Sequence, residues 1–514
     1  MMKKWIVRAV TGLVLAVAVF MAYMTAYEYV IYFHEQHYLF RFTTAYWNHA
    51  VNQRGIWWPL TEFIVQFGYW PWLGALLWTG MIVGVYAMTG SIIRRLTGWR
   101  DIVGVSLFLP VWMFFRTVQV DVLPVNALKT FVIVLVVWIL SLLASRFIPP
   151  IRKRYEASKD PTKEKCRIWW IGVMMAAMAL CWTINYHMFT SPITMTLKDG
   201  KTRTFSREDR QQQRAIEAQM IKAERALKRA DWKEVYELTT DQALTGKKNH
   251  LMSYFRAMAL FHLGMFPDHL LDFPQQFGVN TLYFPWKADK NQAEYGGYIY
   301  EQLGAINSAN HWEFEALVGW GETPAHLTNL ARYAILSGKP QQAERFINAL
   351  DQTLFYRGTA KELRRQLAEG KVEGLRDALA NAKQEHPRWD NVLNLNGDTR
   401  YILEFDPDNA MAREYLLTGL LLANNIGAFW RNLQDFYKPD MPMPRVYQEA
   451  LCLVRMQLGS EVIDAAGFKI SPEVDQAFRK YLESRQKNNF NLEQKRSYWY
   501  YTQYVNPHTK ELIF

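Results

Sequence analysis

Apolar residues are unevenly distributed along this 514-residue chain. Long apolar runs lie before about Met195, whereas the later part alternates apolar and polar positions at helical spacing. A membrane-spanning helix needs about 20 mostly apolar residues. Four stretches meet that length and another is short and interrupted by Pro110; in chain order they are residues 9–33, 71–93, 102–115, 127–147 and 168–189. The pattern predicts an all-α protein with about five transmembrane helices in residues 1–194, followed by a soluble domain of residues 195–514.

Basic residues near these stretches predict their orientation. They cluster before the first stretch, after the second, and between the fourth and fifth, at Lys3, Lys4 and Arg8, at Arg94, Arg95 and Arg100, and from Arg146 to Arg167. Cytoplasmic loops carry an excess of Lys and Arg. We therefore expect a cytoplasmic N-terminus, five crossings and a C-terminal domain on the outer side. The first apolar run is long for a signal peptide and no small-residue cleavage pattern follows it, which predicts an uncleaved anchor.

The net charge of +11 belongs to the apolar half of the chain. Up to Thr194, 18 Lys and Arg oppose 8 Asp and Glu, whereas from Met195 onward 41 oppose 40. A nucleic-acid-binding protein carries its basic excess on a folded polar surface. We therefore expect the lipid bilayer, and no nucleic acid, as a partner.

Paired helices are predicted in the soluble half. The most legible pair covers His326–Thr353, where Gly338 ends one helical pattern and Pro340 begins the next. Weaker copies occur at Met252–Gly278, Asn409–Tyr437 and Arg225–Thr239. This arrangement resembles tetratricopeptide units and predicts a divergent helical-repeat solenoid. The segment rich in Pro, Gly and Tyr at residues 280–304 is expected to be an irregular insertion.

Several polar residues near the outer ends of the spans are candidates for chemistry. His34 and His37 are three positions apart, so they do not form the HExxH zinc motif. With Glu28 and Glu35 nearby, one interpretation is a metal site, and the other is polar side chains that meet the lipid head groups. Asp121, in the second predicted outer loop, is a candidate acid of a lipid-linked sugar transferase, although such enzymes have more spans than this chain.

Other catalytic or cofactor signals are missing from the sequence. Cys166, Cys181 and Cys452 have no disulfide or zinc spacing. No phosphate-binding glycine loop or Ser-His-Asp pattern is legible, so no catalytic residue, metal or other cofactor is assigned. An enzymatic role is not the expected one.

A stretch between predicted helices combines polar and aromatic side chains. It contains His311, Trp312 and Glu313, and it ends near Trp320. One interpretation is an interaction surface that lines a peptide or glycan groove. The alternative is a helix start in which Trp312 and Phe314 enter the core.

Several segments resemble one family of proteins. They are "ALFHLGMFPDHLLDFPQQFG", the stretch "NHWEFEALVGWGETPAHLTNLARYAILSGKPQQAERFINALDQTLFYR", the terminal "SYWYYTQYV" and "FIVQFGYWPWLGALL" in the first outer loop. They resemble an uncharacterised family of bacterial multi-span inner-membrane proteins with a tetratricopeptide-like C-terminal region. The resemblance implies a Gram-negative inner-membrane protein with a periplasmic C-terminal domain, and it implies no activity.

Two functions follow as hypotheses. The first is a non-catalytic scaffold whose periplasmic repeats bind a protein or an extended peptide, in envelope biogenesis or assembly. The second is a subunit of a membrane transferase or transporter that acts on lipid-linked envelope material. The second depends on Glu28, Glu35, Asp121 and the aromatic outer loop of residues 38–70.

Overall fold

The protein folds almost entirely into helices, which form two compact units. The computed structural model describes residues 2–120, 122–160, 165–196, 202–240, 249–273, 275–285, 290–380 and 395–507. The first unit comprises Met1–Ala218, Glu322–Ala325 and Asn348–Lys361, and the second comprises Gln219–Gly321, His326–Ile347 and Glu362–Phe514. The division falls later than residue 194 because the start of the long helix Arg207–Lys228 packs within the first unit. Arg214 of that helix, for example, donates to the carbonyl of Phe189.

The first unit contains nine helices before the long Arg207–Lys228 helix, counted over the part of it that the structure describes. They are α1 (Lys4–Ala26), α2 (Glu28–His37), α3 (Thr44–Arg54), α4 (Trp57–Val65), α5 (Pro71–Thr97), α6 (Phe108–Thr117), α7 (Val125–Phe147), α8 (Pro149–Ala157) and α9 (Trp170–Phe189), followed by α10 (Arg207–Lys228). Short antiparallel pairs join β1 (Met2–Lys3) to β2 (Lys165–Cys166) and β3 (Ile193–Thr196) to β4 (Thr202–Phe205).

Four helices of this unit are long and apolar enough to cross a membrane, namely α1, α5, α7 and α9. They confirm that four of the predicted stretches form apolar helices of membrane-spanning length. The first is shorter than predicted, because α1 ends at Ala26 and Tyr27 leaves the helical conformation before α2 begins. The predicted third span, residues 102–115, contains only a short apolar helix at Val105–Thr117.

The chain nevertheless passes from one end of the bundle to the other through α6. Helices α5 and α7 run in the same direction, because Ser91 accepts from Trp138 at 3.2 Å and Ser145 accepts from Arg95 at 3.4 Å. Two consecutive parallel helices require a return passage between them. That passage is α6, which begins beside Arg8 and ends where Thr117 bonds the hydroxyl of Tyr23.

A buried carboxylate sets the start of this passage. Asp101 is inaccessible to solvent and accepts backbone N–H groups from Gly104 and Ser106, at 2.8 and 2.7 Å. Such bonds satisfy the donors that are left open at a helix start. Arg8 donates to the Asp101 carbonyl at 2.9 Å, and a Cβ at Gly90 would overlap its guanidinium. The absence of a side chain at Gly90 therefore lets α1 and α5 enclose this ion pair.

The helices that follow α10 form the second unit, apart from residues 322–325 and 348–361, which belong to the first unit. They are α11 (Trp232–Thr240), α12 (His250–His262), α13 (Lys290–Leu303), α14 (Ile306–Trp320), α15 (Pro324–Leu336), α16 (Pro340–Asp351), α17 (Arg357–Glu369), α18 (Leu395–Phe405), α19 (Ala410–Leu422), α20 (Ile426–Phe436), α21 (Arg445–Leu458), α22 (Ser460–Ala465), α23 (Pro472–Gln486), α24 (Leu492–Lys495) and α25 (Tyr498–Tyr500). The helix pair predicted at His326–Thr353 is confirmed as α15 and α16. Gly338 has φ 66° in the turn, and Pro340 begins α16.

The expectation of an irregular insertion at residues 280–304 is wrong over its second half, which forms α13. Gly296 of this helix faces the ring of Trp312 on α14, and a Cβ there would lie 2.4 Å from that ring. Gly297 faces the Cβ of Trp312 and the carbonyl of Ala309. Gly is unfavourable within a helix by about 1 kcal/mol relative to Ala. Here it permits the close approach of α13 and α14. Ile299 and Tyr300 on α13 are buried as well.

The aromatic C-terminal segment closes the end of α19. Tyr498 and Tyr501 are buried, and their hydroxyls donate to the carbonyls of Leu421 and Leu422 at 3.2 and 2.8 Å. The last carbonyls of a helix have no partner within it. The terminal "SYWYYTQYV" therefore serves as a C-terminal cap for a helix about 80 positions earlier, as the separations of 77 and 79 residues record.

Candidate functional site

Helix α2 carries most of the polar residues that the sequence singles out in the membrane half. Glu28 lies half-buried in its first turn. His34 and Glu35 are each 3% exposed, and His37 is buried beside them. The fourth candidate, Asp121, lies outside the described residues. The structure therefore places three of the four candidates on one short helix that follows directly after α1.

Glu35 is held by a residue from the distant segment 348–361. The hydroxyl of Tyr356 donates to one carboxylate oxygen of Glu35, and the amide of Gln36 donates to the other at 2.7 Å. Gln36 also donates to the Tyr356 hydroxyl at 3.1 Å. Burial and the neighbouring Glu35 carboxylate raise the pKa of Tyr356, so this hydroxyl keeps its proton. The three side chains form a closed polar triangle.

Aromatic rings surround this triangle. Phe355 stacks on Tyr69 with ring centroids 5.3 Å apart, and it meets the edge of Trp70 at 5.2 Å and Phe67 at 5.6 Å. The ring of Tyr356 contacts Tyr69 edge-on at 5.3 Å. Each such pair contributes about 0.5–1.5 kcal/mol beyond area burial. The segment 348–361 is therefore attached to α2 by hydrogen bonds and to the aromatic loop of residues 38–70 by ring contacts.

A second buried carboxylate lies in the same loop, on α4. Glu62 is 6% exposed, and it accepts from the Tyr46 hydroxyl and from the indole Nε1 of Trp58 at 2.9 Å. Burial raises the pKa of Glu62 to about 7, although the bonds from Tyr46 and Trp58 and the nearby Arg54 act in the opposite direction. Glu62 is thus poised to exchange a proton near neutral pH, a property that is common among functional carboxylates.

The two histidines of α2 are both buried. The ring of His37 stacks on Phe33 at 3.8 Å, and its Nδ1 lies 2.8 Å from the Phe33 carbonyl. Burial lowers the pKa of His34 to about 4, although the backbone of Val120 and Gln119 acts in the opposite direction. Within the described ranges, no three His, Cys, Asp or Glu side chains are arranged to hold a metal ion.

The predicted interaction stretch forms α14, and its side chains divide between two faces. Trp312 and Glu313 are buried, His311 is exposed, and Trp320 is half-buried at the helix end. Trp312 therefore lies in the core, as the second of the two interpretations of this stretch states. The exposed face carries Val318, whose side chain is 81% exposed.

Glu313 takes part in a buried polar contact with α15. Its carboxylate lies 2.5 Å from Nδ1 of His326, and Asn329 donates to its second oxygen at 3.3 Å. His326 is 2% exposed. A buried acid needs such partners, because an unpaired charge in the interior is costly. The arrangement fixes α15 against α14 and keeps both groups away from solvent.

Comparison with known families gives one match. The model described as "Family of unknown function (DUF6057)" matches residues 3–204 and 147–505. The chain belongs to this family. No curated protein and no solved structure matches the chain. The expected membership of an uncharacterised family is thereby confirmed, and the family description assigns no activity.

Sequence reasoning missed the partners of the buried carboxylates. Tyr356 is 321 positions from Glu35, and no local pattern joins them. The contact of Tyr46 with Glu62 has a signal in the sequence, since both residues lie in the aromatic loop and Glu62 is the only acid in the sequence between residues 36 and 100. A lone carboxylate among aromatic residues is the signal that predicts burial and a raised pKa.

Proposed function

We propose that this protein is an integral membrane scaffold whose helical C-terminal part binds a protein or an extended peptide. The observation that carries the proposal is the exposed face of α14. His311, Glu315 and Val318 recur there at helical spacing and are exposed, with Val318 81% exposed. Val318, an apolar side chain between polar ones, is the contact that we propose a partner covers.

Helix pairing supports the same proposal. Helices α15 and α16 follow each other through the Gly338 turn, and α19 and α20 follow each other through the turn at Asn424 and Asn425. Tetratricopeptide-like arrays built from such pairs present extended surfaces to partners. We propose that these pairs are divergent tetratricopeptide-like repeats.

The proposed location is the bacterial inner membrane, with the N-terminus in the cytoplasm and the C-terminal part in the periplasm. One end of the first unit carries Arg8, Arg95 and Arg154, as contacts of Arg8 and Arg154 near the C-terminal end of α5 show. A concentration of basic residues at one end is typical of the cytoplasmic side. The partner would then belong to envelope biogenesis or assembly.

The test uses the full-length protein with Val318→Asp. Cells that express tagged wild type or variant are crosslinked and extracted in mild detergent, and co-purifying proteins are quantified by mass spectrometry. A partner on this face should be retained at least about tenfold less by the variant, since a buried charge without a partner costs several kcal/mol. Leu492→Asp, at a position 66% exposed on α24, is the matched control.

Equal retention by wild type, Val318→Asp and Leu492→Asp would refute the α14 face as the binding surface. A loss of every partner in both variants, with reduced protein level, would show misfolding. The melting temperature of each purified variant separates that result from a specific loss.

A second candidate function is action on lipid-linked envelope material, as a transferase or transporter subunit. The favouring observation is the pair of buried acids, Glu35 and Glu62, in an aromatic loop that follows α1. Glu28 and Asp121 belong to the same proposal. If cells with Val318→Asp keep all partners and a normal envelope, this second candidate takes precedence, and the carboxylates become the residues to replace.

A further inference from the structure

A cavity of about 360 Å³ lies in the first unit, where α9 ends. Its walls come from α2, α6, the segment after α6, the end of α9, and α10. The residues that matter for its chemistry are Trp112, Phe115, Arg116, Arg210, Arg214 and Glu217. None of the functions proposed above uses this cavity.

The described residues that line the cavity have an excess of positive charge. Three arginines and one glutamate are the charged side chains among its described lining residues. Arg116 is exposed, and its guanidinium lies 5.3 Å from the ring of Trp112. A guanidinium that rests on an aromatic ring keeps its N–H edge available for a planar or tetrahedral anion. The lining therefore suits an anionic group.

The other two arginines are held in place by the end of α9. Arg210 donates to the carbonyl of Ser191, and Arg214 donates to the carbonyl of Phe189 at 3.0 Å while lying 3.3 Å from the Phe189 ring. The C-terminal end of a helix carries partial negative charge, so these contacts with cations stabilise the end of α9. A guanidinium has more N–H donors than one carbonyl uses. The same bonds therefore fix both side chains at the cavity with donors left for a ligand.

The position of the cavity indicates what carries the anion. Trp112 and Phe115 belong to α6, and Met188, 56% exposed, belongs to the last turn of α9. Both helices are apolar, and α9 is one of the helices that can cross a membrane. Aromatic and basic residues at the end of such helices lie at the depth of lipid head groups.

We propose that this cavity binds the phosphate group of a membrane lipid, with the arginines on the phosphate and the apolar wall against the lipid chains. Arginine recognises phosphate through paired, charge-assisted hydrogen bonds. The inference goes beyond the scaffold, and it requires no reaction. A lipid phosphate bound here would also give the second candidate function its ligand class.

Replacement of Glu217 is expected to change phosphate affinity in the opposite direction to replacement of an arginine. The carboxylate of Glu217 interacts with Arg214. Burial, then Tyr27, and then Glu217 raise the pKa of nearby Tyr29. A carboxylate at the cavity repels phosphate and competes for the same guanidinium. Glu217→Gln should therefore tighten phosphate binding, whereas a purely structural role for the arginines predicts no gain.

The experiment measures dissociation constants for the purified full-length protein in uncharged detergent. The probes are dioctanoyl phosphatidylglycerol, dioctanoylglycerol with the same chains and no phosphate, and inorganic phosphate with no chains. Phosphatidylglycerol should bind at least about tenfold more tightly than either of the others. Arg116→Gln should weaken its binding about tenfold, which corresponds to about 1.4 kcal/mol.

The matched control is Arg54→Gln. Arg54 is also exposed and its guanidinium also lies over an indole, that of Trp58 at 4.8 Å, but it does not line the cavity. Equal weakening by Arg54→Gln and Arg116→Gln would overturn the proposal in favour of a general cationic surface. Equal binding of dioctanoylglycerol would overturn the phosphate assignment. Tight, Arg116-dependent binding of inorganic phosphate would overturn the assignment to lipid in favour of a soluble phosphate.

Discussion

At the scale of single residues, the first unit contains two buried titratable groups whose pKa values move in opposite directions. Burial raises the pKa of Glu62 to about 7 and lowers the pKa of His34 to about 4. The folded state thus favours the neutral form of both. Stability from neutral Glu62 is lost as the pH rises through about 7, and stability from neutral His34 is lost as the pH falls from about 6.5 toward 4.

Glu62→Gln should therefore change how stability depends on pH. The wild type should lose up to about 3 kcal/mol between about pH 4.5 and pH 7.5 through this group, because its carboxyl must ionise while buried. The variant should lack that loss. Its stability relative to the wild type should therefore be greater at pH 7.5 than at pH 5. Melting temperatures of both proteins in detergent, measured across this range, give the difference.

A difference curve is needed because His34 acts over the same pH range with the opposite sign. Glu156→Gln is the matched control, since Glu156 is exposed on α8. A flat difference between the wild type and Glu62→Gln, equal to that of the control, would show that Glu62 titrates as an ordinary carboxyl.

At the scale of elements, the sequence predicts what is local. Apolar length predicts α1, α5, α7 and α9, and the Gly338–Pro340 turn predicts the α15–α16 pair. The predicted span at residues 102–115 corresponds to a helix that is too short to cross by length alone, and the parallel contacts of α5 with α7 indicate that the chain returns through it. The sequence-based prediction fails for α13. The glycines there suggest a loop, but in the structure they leave room for the side chain of Trp312.

The attachment of segment 348–361 depends on tertiary contacts, and no local sequence pattern predicts it. Phe355 contacts three aromatic rings of the loop of residues 38–70. Phe355→Ala should cost about 2–4 kcal/mol, since it removes a ring together with its aromatic pairs. We expect a lower melting temperature and faster tryptic cleavage after Arg357. Leu354→Ala, at the exposed neighbouring position, should leave both unchanged. If the two variants behave alike, the segment does not depend on Phe355 for its attachment.

At the scale of the whole molecule, basic residues of the first unit gather where the helices α5 and α7 end. Tyr155 on α8 lies among Arg94, Arg95 and Lys159, with ring distances of 5.5, 5.0 and 4.6 Å. The pairing of β1 with β2 brings the start of α1 close to the start of α9. Both helices therefore run away from the same end, and an odd number of passages separates the two ends of the unit.

This arrangement predicts opposite sides of the membrane for Lys159 and Lys487, which are both exposed. In spheroplasts, a membrane-impermeant maleimide should label Lys487→Cys directly, and it should label Lys159→Cys only after permeabilisation. The wild type measures the background, because Cys166 and Cys452 are buried and Cys181 is half-buried. Equal labelling of both variants in intact spheroplasts would place the two positions on the same side. Because α9 is the candidate span between the two positions, that result would mean that α9 does not cross. Reversed labelling, with Lys159→Cys accessible and Lys487→Cys protected, would mean that α6 turns back within the membrane and that the basic end does not mark the cytoplasm.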